Sequence, residues 1–159
     1  MSFRIGSGVD YHQLVEGRKL VIGGITIPYH KGALGHSDAD VLLHAICDAL
    51  LGAAALGDIG MHFPDTDQQF KNIDSSLLLK KTMELLTKHN YRFINLDSTL
   101  CLQEPKISPY IKQMREKIAE IIGSDVNAIS IKATTTEKMG FVGRKEGLVA
   151  YATVLLESL

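Results

Sequence analysis

Asp10, His12 and His44 are the residues whose types and spacing best suit the binding of a divalent metal ion. In an extended chain alternate side chains share a face, so Asp10 and His12 point the same way, and Gly6 and Gly8 leave that face open upstream. Zinc enzymes commonly use three nitrogen or oxygen ligands and keep one coordination position free. The spacing is therefore compatible with a zinc site that has His44 as the third ligand, and two histidines and one carboxylate also suit iron(II).

The stretch that contains His44 is strongly acidic. Residues 32–70 include six Asp and three His but no Lys or Arg. Asp40, His44 and Asp48 follow one another at intervals of four, which places them on one stripe of a helix. A metal-bound imidazole normally donates its other N–H to a carboxylate or a carbonyl. We therefore expect Asp48 or Asp40 to accept a hydrogen bond from the ring nitrogen of His44 that does not bind the metal. The alternative is that His44 is a half-buried core residue and the Asp side chains form a solvated face.

A second group of polar side chains follows the predicted strand Ile129–Ala133. The run Thr134–Thr136 is followed by Glu137, Lys138 and, further on, Arg144. Hydroxyls, loop N–H groups and these cations can bind phosphate oxygens, while Glu137 can hold a magnesium ion. The same pattern is also typical of an ordinary strand followed by a surface loop.

Two shorter segments leave their function open. The turn at residues 63–67 contains two carboxylates and suits either a solvated loop or a site that binds hydroxyl groups. His36 and Ser37 precede the acidic helix, where they suit a helix cap.

Periodicity predicts the elements that must position these groups. Apolar residues at three- and four-residue spacing indicate helices, and alternation indicates strands. The predicted strands are Arg4–Val9, Lys19–Ile22, Ile25–Ile27, Phe93–Leu102, Ile129–Ala133 and Leu148–Leu156, and the predicted helices are 40–55, 75–89 and 107–122. Gly23 and Gly24 form the turn of a hairpin. Strands and helices interleave, which favours an α/β or α+β class; we predict an α+β fold (an α/β sandwich) with a mixed sheet covered by helices on one face.

The composition is that of an ordinary globular protein. The 159 residues favour a single domain over 1–159, and 45% apolar and 22% charged residues are typical of a chain with a sizeable core. The 17 Lys and Arg against 18 Asp and Glu give a net charge of −1. This balance argues against binding to nucleic acid or to a membrane surface through a basic face, so we expect neither partner.

Cysteine use and the N-terminal residues bear on the compartment. Cys47 and Cys101 lie inside apolar runs rather than in a Cys-x-x-Cys pair, which favours two reduced thiols. The chain begins with no apolar signal core, and no apolar run approaches the roughly 18 residues of a membrane span. We therefore expect a cytoplasmic, bacterial protein; a plastid protein already trimmed of its transit peptide is the alternative.

In order along the chain, these segments resemble the 2-C-methyl-D-erythritol 2,4-cyclodiphosphate synthase family. The similarity runs from about Ile5 to Leu156 without a large insertion. The motifs that carry it are Gly6-x-Gly8-x-Asp10-x-His12, His36-Ser37-Asp38-Ala39-Asp40 leading to His44, Gly57-Asp58-Ile59-Gly60, Phe63-Pro64-Asp65-Thr66-Asp67, Pro105-Lys106, and Thr134-Thr135-Thr136-Glu137-Lys138 through Gly143-Arg144.

The resemblance implies a phosphorus–oxygen lyase of the non-mevalonate isoprenoid pathway. Its substrate is 4-diphosphocytidyl-2-C-methyl-D-erythritol 2-phosphate, whose 2-phosphate attacks the β-phosphorus to form the cyclic diphosphate and release CMP. It also implies a homotrimer with each active site between neighbouring subunits, so that the Thr-Glu-Lys and Pro-Lys segments meet the zinc site of an adjacent chain.

The resemblance further implies a role for each matching residue. Asp10, His12 and His44 become zinc ligands, Glu137 a ligand of Mg²⁺ or Mn²⁺, and His36 and Thr135 the residues that stabilise the transition state. The segments that match binding sites for the methylerythritol phosphate are Ser37, Asp58, Ile59, Gly60, Phe63, Pro64, Asp65, Thr66 and Asp67. Those that match the cytidine diphosphate site and the end of the Thr-Glu-Lys loop are Leu102, Gln103, Glu104, Pro105, Lys106, Ile107, Ser108, Ala133, Thr134, Thr136, Phe141 and Arg144.

Two other functions are compatible with the same residues. A zinc-dependent phosphohydrolase would use the three ligands to activate a water molecule. A non-catalytic trimeric binding module would use zinc only to hold segments together, although structural zinc sites are normally closed by four protein ligands.

Overall fold

The computed structural model describes residues 2–159. Its strands are β1 (Phe3–Glu16), β2 (Leu20–Ile22), β3 (Ile25–Ile27), β4 (Lys31–Ala33), β5 (Tyr91–Cys101), β6 (Ile129–Thr134) and β7 (Gly147–Ser158). Its α-helices are α1 (Val41–Ala53), α2 (Ile59–His62), α3 (Ser75–Lys88), α4 (Ile111–Ile122) and α5 (Gly140–Gly143). Short 3-10 helices cover Gln68–Phe70, Ser108–Tyr110 and Val126–Ala128.

Five strands form one mixed sheet in the order β4-β1-β7-β5-β6. The β5–β6 pair is parallel and the other pairs are antiparallel. β2 and β3 form a separate hairpin. The predicted α+β fold with a mixed sheet and packed helices is therefore confirmed.

Helix α1 lies directly on the long strand β1 at two glycines. A Cβ atom at Gly8 would overlap the carbonyl oxygen of Ala45 and lie 2.8 Å from the Ala49 nitrogen, and one at Gly6 would lie 2.6 Å from the Ala53 nitrogen. The expectation that Gly6 and Gly8 leave an open face is wrong, because the helix backbone occupies the space that a side chain would need. This close approach brings α1 against the strand that carries Asp10 and His12.

Asp40 caps α1 and ties it to the β2–β3 hairpin. Its carboxylate accepts hydrogen bonds from Gly23 N at 2.9 Å, Gly24 N at 2.7 Å and Leu43 N at 3.1 Å. The side chain is fully buried, and burial raises the pKa of the Asp40 carboxyl to about 6, against these N–H groups, which lower it. The predicted Gly-Gly turn is confirmed, but Asp40 does not belong to a solvated face.

The remaining differences from prediction are short or terminal elements. β1 continues to Glu16, so that Asp10 and His12 lie in mid-strand, and β4, α2 and α5 were not predicted. Each of these three elements spans at most four residues, too few for a periodic pattern. The helix predicted from residue 107 begins at Ile111, because the preceding residues 108–110 form a 3-10 turn.

The face of the sheet opposite α1 is apolar and exposed. Alternate residues of β1 point to that face, and Ile5 is 74% exposed and Tyr11 56% exposed. Val9 pairs with Tyr151 of β7 on the same face. Within residues 2–159 no helix combines the length and hydrophobicity needed to cross a bilayer.

Candidate active site

The structure brings Asp10, His12 and His44 together at the contact between β1 and α1. Asp10 Oδ2 lies 2.8 Å from His12 Nε2 and 3.2 Å from His44 Nδ1. The two ring nitrogens are 3.3 Å apart, and the three side chains are partly buried. One ligand atom from each residue therefore faces a common point, as the spacing predicts.

The hydrogen bonds around the triad leave a cluster of lone pairs. His12 Nδ1 lies 2.9 Å from the carbonyl oxygen of Leu34, which only accepts, so Nδ1 carries the hydrogen and Nε2 of neutral His12 is bare. The buried Asp10 Oδ2 has no hydrogen-bond donor. Lone pairs that converge in this way need a cation, either a proton or a metal ion. Two nitrogens and one carboxylate oxygen with space for a further ligand fit Zn²⁺ or Fe²⁺.

The pKa values of the same groups reflect this attraction for positive charge. Burial opposes ionisation of the Asp10 carboxyl, but the imidazoles of His12 and His44, which can take up a proton on the nitrogens that face Asp10, outweigh burial and lower the pKa of Asp10. Burial likewise lowers the pKa of His12, and the Asp10 carboxylate more than compensates and raises it. Asp10 is therefore ionised at neutral pH, as a metal ligand must be.

The hydrogen-bond partners of His44 differ from the predicted ones. Its Nε2 lies 2.8 Å from Ser75 Oγ and 3.2 Å from Ser37 Oγ, whereas Asp40 caps the helix. Asp48 Oδ1 instead accepts from the backbone N–H of Ile59 at 2.7 Å, which fixes the start of α2. Burial raises the pKa of Asp48. Ser75 is 31 positions from His44, so no spacing in the sequence marks it as a partner.

A cleft of about 370 Å³ opens onto the triad. We call it the triad cleft. Among the predicted site residues, those that line it are Asp10, His12, His36, Ser37, His44, Ile59, Gly60, Phe63, Pro64, Asp65 and Thr66. One wall is apolar, with Phe70, Ile73 and Leu78, and His36 Nε2 is buried without a hydrogen-bond partner. Residues 63–66 of the predicted turn therefore lie on the wall of the triad cleft.

Asp58 and Asp67 do not line this cleft. Asp58 caps α2 and accepts from Met61 N at 3.0 Å. Asp67 caps the 3-10 helix Gln68–Phe70 and accepts from Gln69 N at 3.1 Å. Both carboxylates shape the walls of the cleft by holding short helices, which is the usual function of Asp at a helix N-cap.

A second cleft lies where β5 and β6 end, and we call it the β5–β6 cleft. It has a volume of about 430 Å³. Its lining consists of predicted residues only, namely Leu102, Gln103, Glu104, Pro105, Lys106, Ile107, Ser108, Ala133, Thr134 and Thr135. The Glu104–Pro105 peptide bond within it is cis. The parallel pairing of β5 with β6 places both chain ends at one edge, so segments distant in sequence meet there.

The loop after β6 has a constrained backbone. Glu137 and Lys138 both adopt left-handed conformations, with φ of 52° and 63°, each at a cost of about 1 kcal/mol. Thr136 Oγ1 donates to the Met139 carbonyl at 2.6 Å. Lys138 N donates to Gln103 Oε1 at 3.2 Å, which ties the loop to the β5–β6 cleft. The turn leaves the Glu137 side chain exposed to solvent.

The loop continues to the exposed apolar face of the sheet. Phe141 packs against Tyr11, with ring centroids 6.2 Å apart, and a groove there is lined by both rings and His12. Arg144 is exposed and forms an ion pair with Glu146 at 2.9 Å. Glu137, Thr136 and Arg144 line neither the triad cleft nor the β5–β6 cleft.

The chain matches known proteins along nearly its whole length. Residues 3–157 match the sequence profile of the YgbB family. The chain belongs to the YgbB family. A 2-C-methyl-D-erythritol 2,4-cyclodiphosphate synthase from Chloroherpeton thalassium is 64% identical, and the match covers 98% of this chain and 99% of that protein.

Solved structures of the YgbB family share the fold. The bifunctional IspDF from Campylobacter jejuni matches with a TM-score of 0.96 at 42% identity, over 99% of this chain and 43% of that one. A CDP complex of IspF from Plasmodium falciparum matches with a TM-score of 0.86 at 34% identity, over 99% of this chain and 97% of that one. The chain is therefore an enzyme of the cyclodiphosphate synthase type.

Within one chain of this YgbB protein, the two clefts are separate. No residue that lines the triad cleft also lines the β5–β6 cleft.

Sequence reasoning missed the roles of Asp38 and Ser75. Ser75 contacts His44 Nε2, and Asp38 accepts a hydrogen bond from Ser75.

Proposed function

We propose that the chain converts 4-diphosphocytidyl-2-C-methyl-D-erythritol 2-phosphate into 2-C-methyl-D-erythritol 2,4-cyclodiphosphate and CMP. The observation that carries this proposal is the triangle of lone pairs formed by Asp10, His12 and His44 on the wall of the triad cleft. Positive charge bound there would lie where a substrate with several phosphates needs it. The curated relatives named as this synthase support the choice of substrate.

The proposed reaction is an intramolecular phosphoryl transfer. An oxygen of the 2-phosphate attacks the β-phosphorus, and the bond between that phosphorus and the oxygen bridging to the α-phosphate breaks. CMP leaves with the bridging oxygen, and no water enters or leaves the balance. The class is a phosphorus–oxygen lyase. Such a transfer asks the protein mainly for alignment and for charge neutralisation.

Bound metal ions would provide the positive charge. Zn²⁺ held by Asp10, His12 and His44, and Mg²⁺ or Mn²⁺ held by Glu137, would neutralise the crowded phosphate oxygens of the substrate. The side chains do the rest: Asp10 remains ionised because the neighbouring imidazoles lower its pKa, and Leu34 O keeps the hydrogen of His12 on Nδ1.

The triad cleft suits the methylerythritol phosphate portion. The Ser37 hydroxyl and the Asp65 carboxylate can bind the polyol hydroxyls, while Phe63 and its apolar neighbours exclude water. Excluding water protects the reacting phosphates from hydrolysis. His36 Nε2, buried and unpartnered, is available to donate to a phosphate oxygen as charge develops.

The β5–β6 cleft suits the cytidine diphosphate portion. Leu102 and Ile107 are buried apolar residues that can contact a pyrimidine ring. The Lys106 ammonium and the hydroxyls of Thr134 and Thr135 can bind phosphate oxygens. Thr135 would then stabilise the transition state from the side of the leaving group. The solved CDP complex of the Plasmodium falciparum relative supports a nucleotide of this class.

We also propose that the working protein is a cytoplasmic homotrimer with active sites between subunits. Within one chain the two clefts share no residue, yet the substrate must contact both. The Thr-Glu-Lys loop leads to the exposed face that carries Tyr11 and Phe141. Burying that apolar face against neighbouring chains would bring the Glu137 loop of one subunit to the triad of another.

A single assay tests the function. The purified chain is incubated with the cytidyl diphosphate substrate, Zn²⁺ and Mg²⁺, and the products are separated and identified by phosphorus NMR. We expect equal amounts of CMP and the cyclic diphosphate. Release of inorganic phosphate would instead identify a zinc phosphohydrolase, and binding without turnover would identify a non-catalytic module.

Glu137→Gln is expected to raise the magnesium concentration for half-maximal activity by at least about tenfold. The amide keeps the shape of the side chain but removes the charge that attracts a hard cation. The measurement is turnover against added Mg²⁺ at constant Zn²⁺. Glu120→Gln, on the exposed side of α4, changes the net charge equally and should leave the titration unchanged. An unaltered curve for Glu137→Gln would contradict its role.

Mixed trimers test whether the site is shared. We expect co-expressed His44→Ala and Glu137→Gln chains to regain activity at a Mg²⁺ concentration where neither variant alone is active. In a shared site, one interface then combines intact His44 from one chain with intact Glu137 from its neighbour. If both residues act within one chain, every site keeps a defect and no activity returns. Sedimentation should give three times the 17.4 kDa of one chain.

A further inference from the structure

A series of hydrogen bonds leads from His44 through Ser75 to the carboxylate of Asp38. His44 Nε2 lies 2.8 Å from Ser75 Oγ, and Ser75 Oγ bonds to Asp38 Oδ1. Ser75 is the first residue of α3 and is fully buried. Its backbone N–H donates to the other Asp38 oxygen at 3.0 Å. Neither Ser75 nor Asp38 lines the triad cleft, and their side chains are linked to the triad through His44.

The available donors and acceptors fix the direction of each of these hydrogen bonds. Asp38 is surrounded by donors, since Oδ1 also accepts from Asp40 N at 3.1 Å and Oδ2 accepts from Ser75 N. An ionised carboxylate only accepts, and a serine hydroxyl has one hydrogen. Ser75 therefore donates that hydrogen to Asp38 and accepts a hydrogen from His44 Nε2.

We infer that Ser75 and Asp38 are positioning residues that hold His44 as the Nε2–H tautomer and keep its Nδ1 bare toward Asp10 and His12. The inference rests on the proposed metal site. A ligand nitrogen must present a lone pair, so the tautomer decides whether His44 can bind a metal without first moving a proton. The partners of metal-bound histidines usually set this choice.

Ser37 carries a second hydroxyl close to His44 Nε2, and this hydroxyl can favour the other tautomer of His44. Ser37 Oγ accepts from Ala39 N at 3.1 Å and lies 3.2 Å from His44 Nε2. Its own hydrogen has no acceptor other than that nitrogen. Without Ser75, the Ser37 hydroxyl can donate to Nε2 and so favour the opposite tautomer, with a hydrogen on Nδ1. The Ser75–Asp38 pair prevents this because it requires Nε2 to donate.

The test measures metal affinity and tautomer rather than turnover. Zn²⁺ affinity is determined by competition with a chromophoric chelator for wild type, Ser75→Ala and Asp38→Asn. Ser76→Ala is the matched control, since it removes a hydroxyl from the same helical turn without a contact to His44. The tautomer is determined from ¹⁵N shifts of histidine-labelled, metal-free protein at about pH 8, above the ordinary pKa of imidazole. The His44 signals are assigned by their absence from His44→Ala.

We expect Ser75→Ala and Asp38→Asn to weaken Zn²⁺ binding by about ten- to a hundredfold, with Ser76→Ala unchanged. The wild-type spectrum should show His44 with hydrogen on Nε2, and Ser75→Ala should show the Nδ1–H form. An Nδ1–H tautomer in the wild type, affinities within twofold of one another, or an equal loss in Ser76→Ala would overturn the inference. A wild type that binds Zn²⁺ with this tautomer but forms no cyclic product would overturn only the proposed function.

Discussion

Replacing His44 with alanine is expected to remove the bound zinc and to lower the rate of cyclisation on the order of a thousandfold. Asp10 and His12 would remain as two neighbouring ligands from one strand, and two ligands hold zinc far more weakly than three. The fold should survive, because alanine is the best helix former and position 44 lies inside α1. Zinc content by mass spectrometry and CMP release from the same preparation give the two readouts.

The control for His44→Ala is His89→Ala. His89 is exposed at the end of α3, where its Nδ1 contacts the Leu85 carbonyl, so its loss removes an imidazole without touching a cleft. We expect wild-type zinc content and turnover. If His44→Ala retained turnover at full rate, His44 would not be a ligand and the triad would lose its proposed function.

The Asp10–His12 half of the triad is predictable from sequence because its determinants are local. Alternation along β1 places Asp10 and His12 on one face, and the apolar period of α1 places His44 on a helix. The Gly23–Gly24 turn is predictable for the same reason, since adjacent glycines favour a tight hairpin. These features each depend on residues only a few positions apart. The packing that brings His44 to His12, 32 positions away, is not local.

The environment of the triad is not predictable in this way. Asp38 and Ser75 are 37 positions apart, and only the packing of α3 beside α1 brings them together. The acidic stripe was expected to be solvated or to support His44, but Asp40 is buried as a cap, and Asp48 fixes the backbone of Ile59. Each carboxylate satisfies backbone N–H groups that periodicity does not reveal.

The net charge of the whole chain is also an average over two surfaces that carry different residues. The triad cleft is lined by carboxylates and imidazoles, whereas Lys106 lies in the β5–β6 cleft and Lys138 beside it. The net charge of −1 therefore says little about the active site. In the proposed trimer one surface holds metal and polyol and the other receives the nucleotide phosphates, so the two surfaces have different chemistry although the total charge is nearly zero.

Gly8→Ala is expected to lower the free energy of unfolding by about 3 kcal/mol or more and to weaken zinc binding at the same time. The new Cβ would overlap the Ala45 carbonyl oxygen and lie 2.8 Å from the Ala49 nitrogen. These are backbone atoms of α1, so the helix must move as a unit. The 3.2 Å contact between Asp10 Oδ2 and His44 Nδ1 crosses the same interface, and a displaced helix pulls these ligands apart.

Gly52→Ala is the matched control for this effect. Gly52 lies near the end of α1, and the nearest atom to an added Cβ is Ser7 O at 3.9 Å, so the methyl group fits. A helical Gly→Ala exchange should stabilise the protein by up to about 1 kcal/mol, with zinc affinity unchanged. Urea unfolding and zinc competition on both variants separate steric displacement from a general effect of alanine. Equal stability and affinity for Gly8→Ala would show that α1 does not need this close approach to place His44.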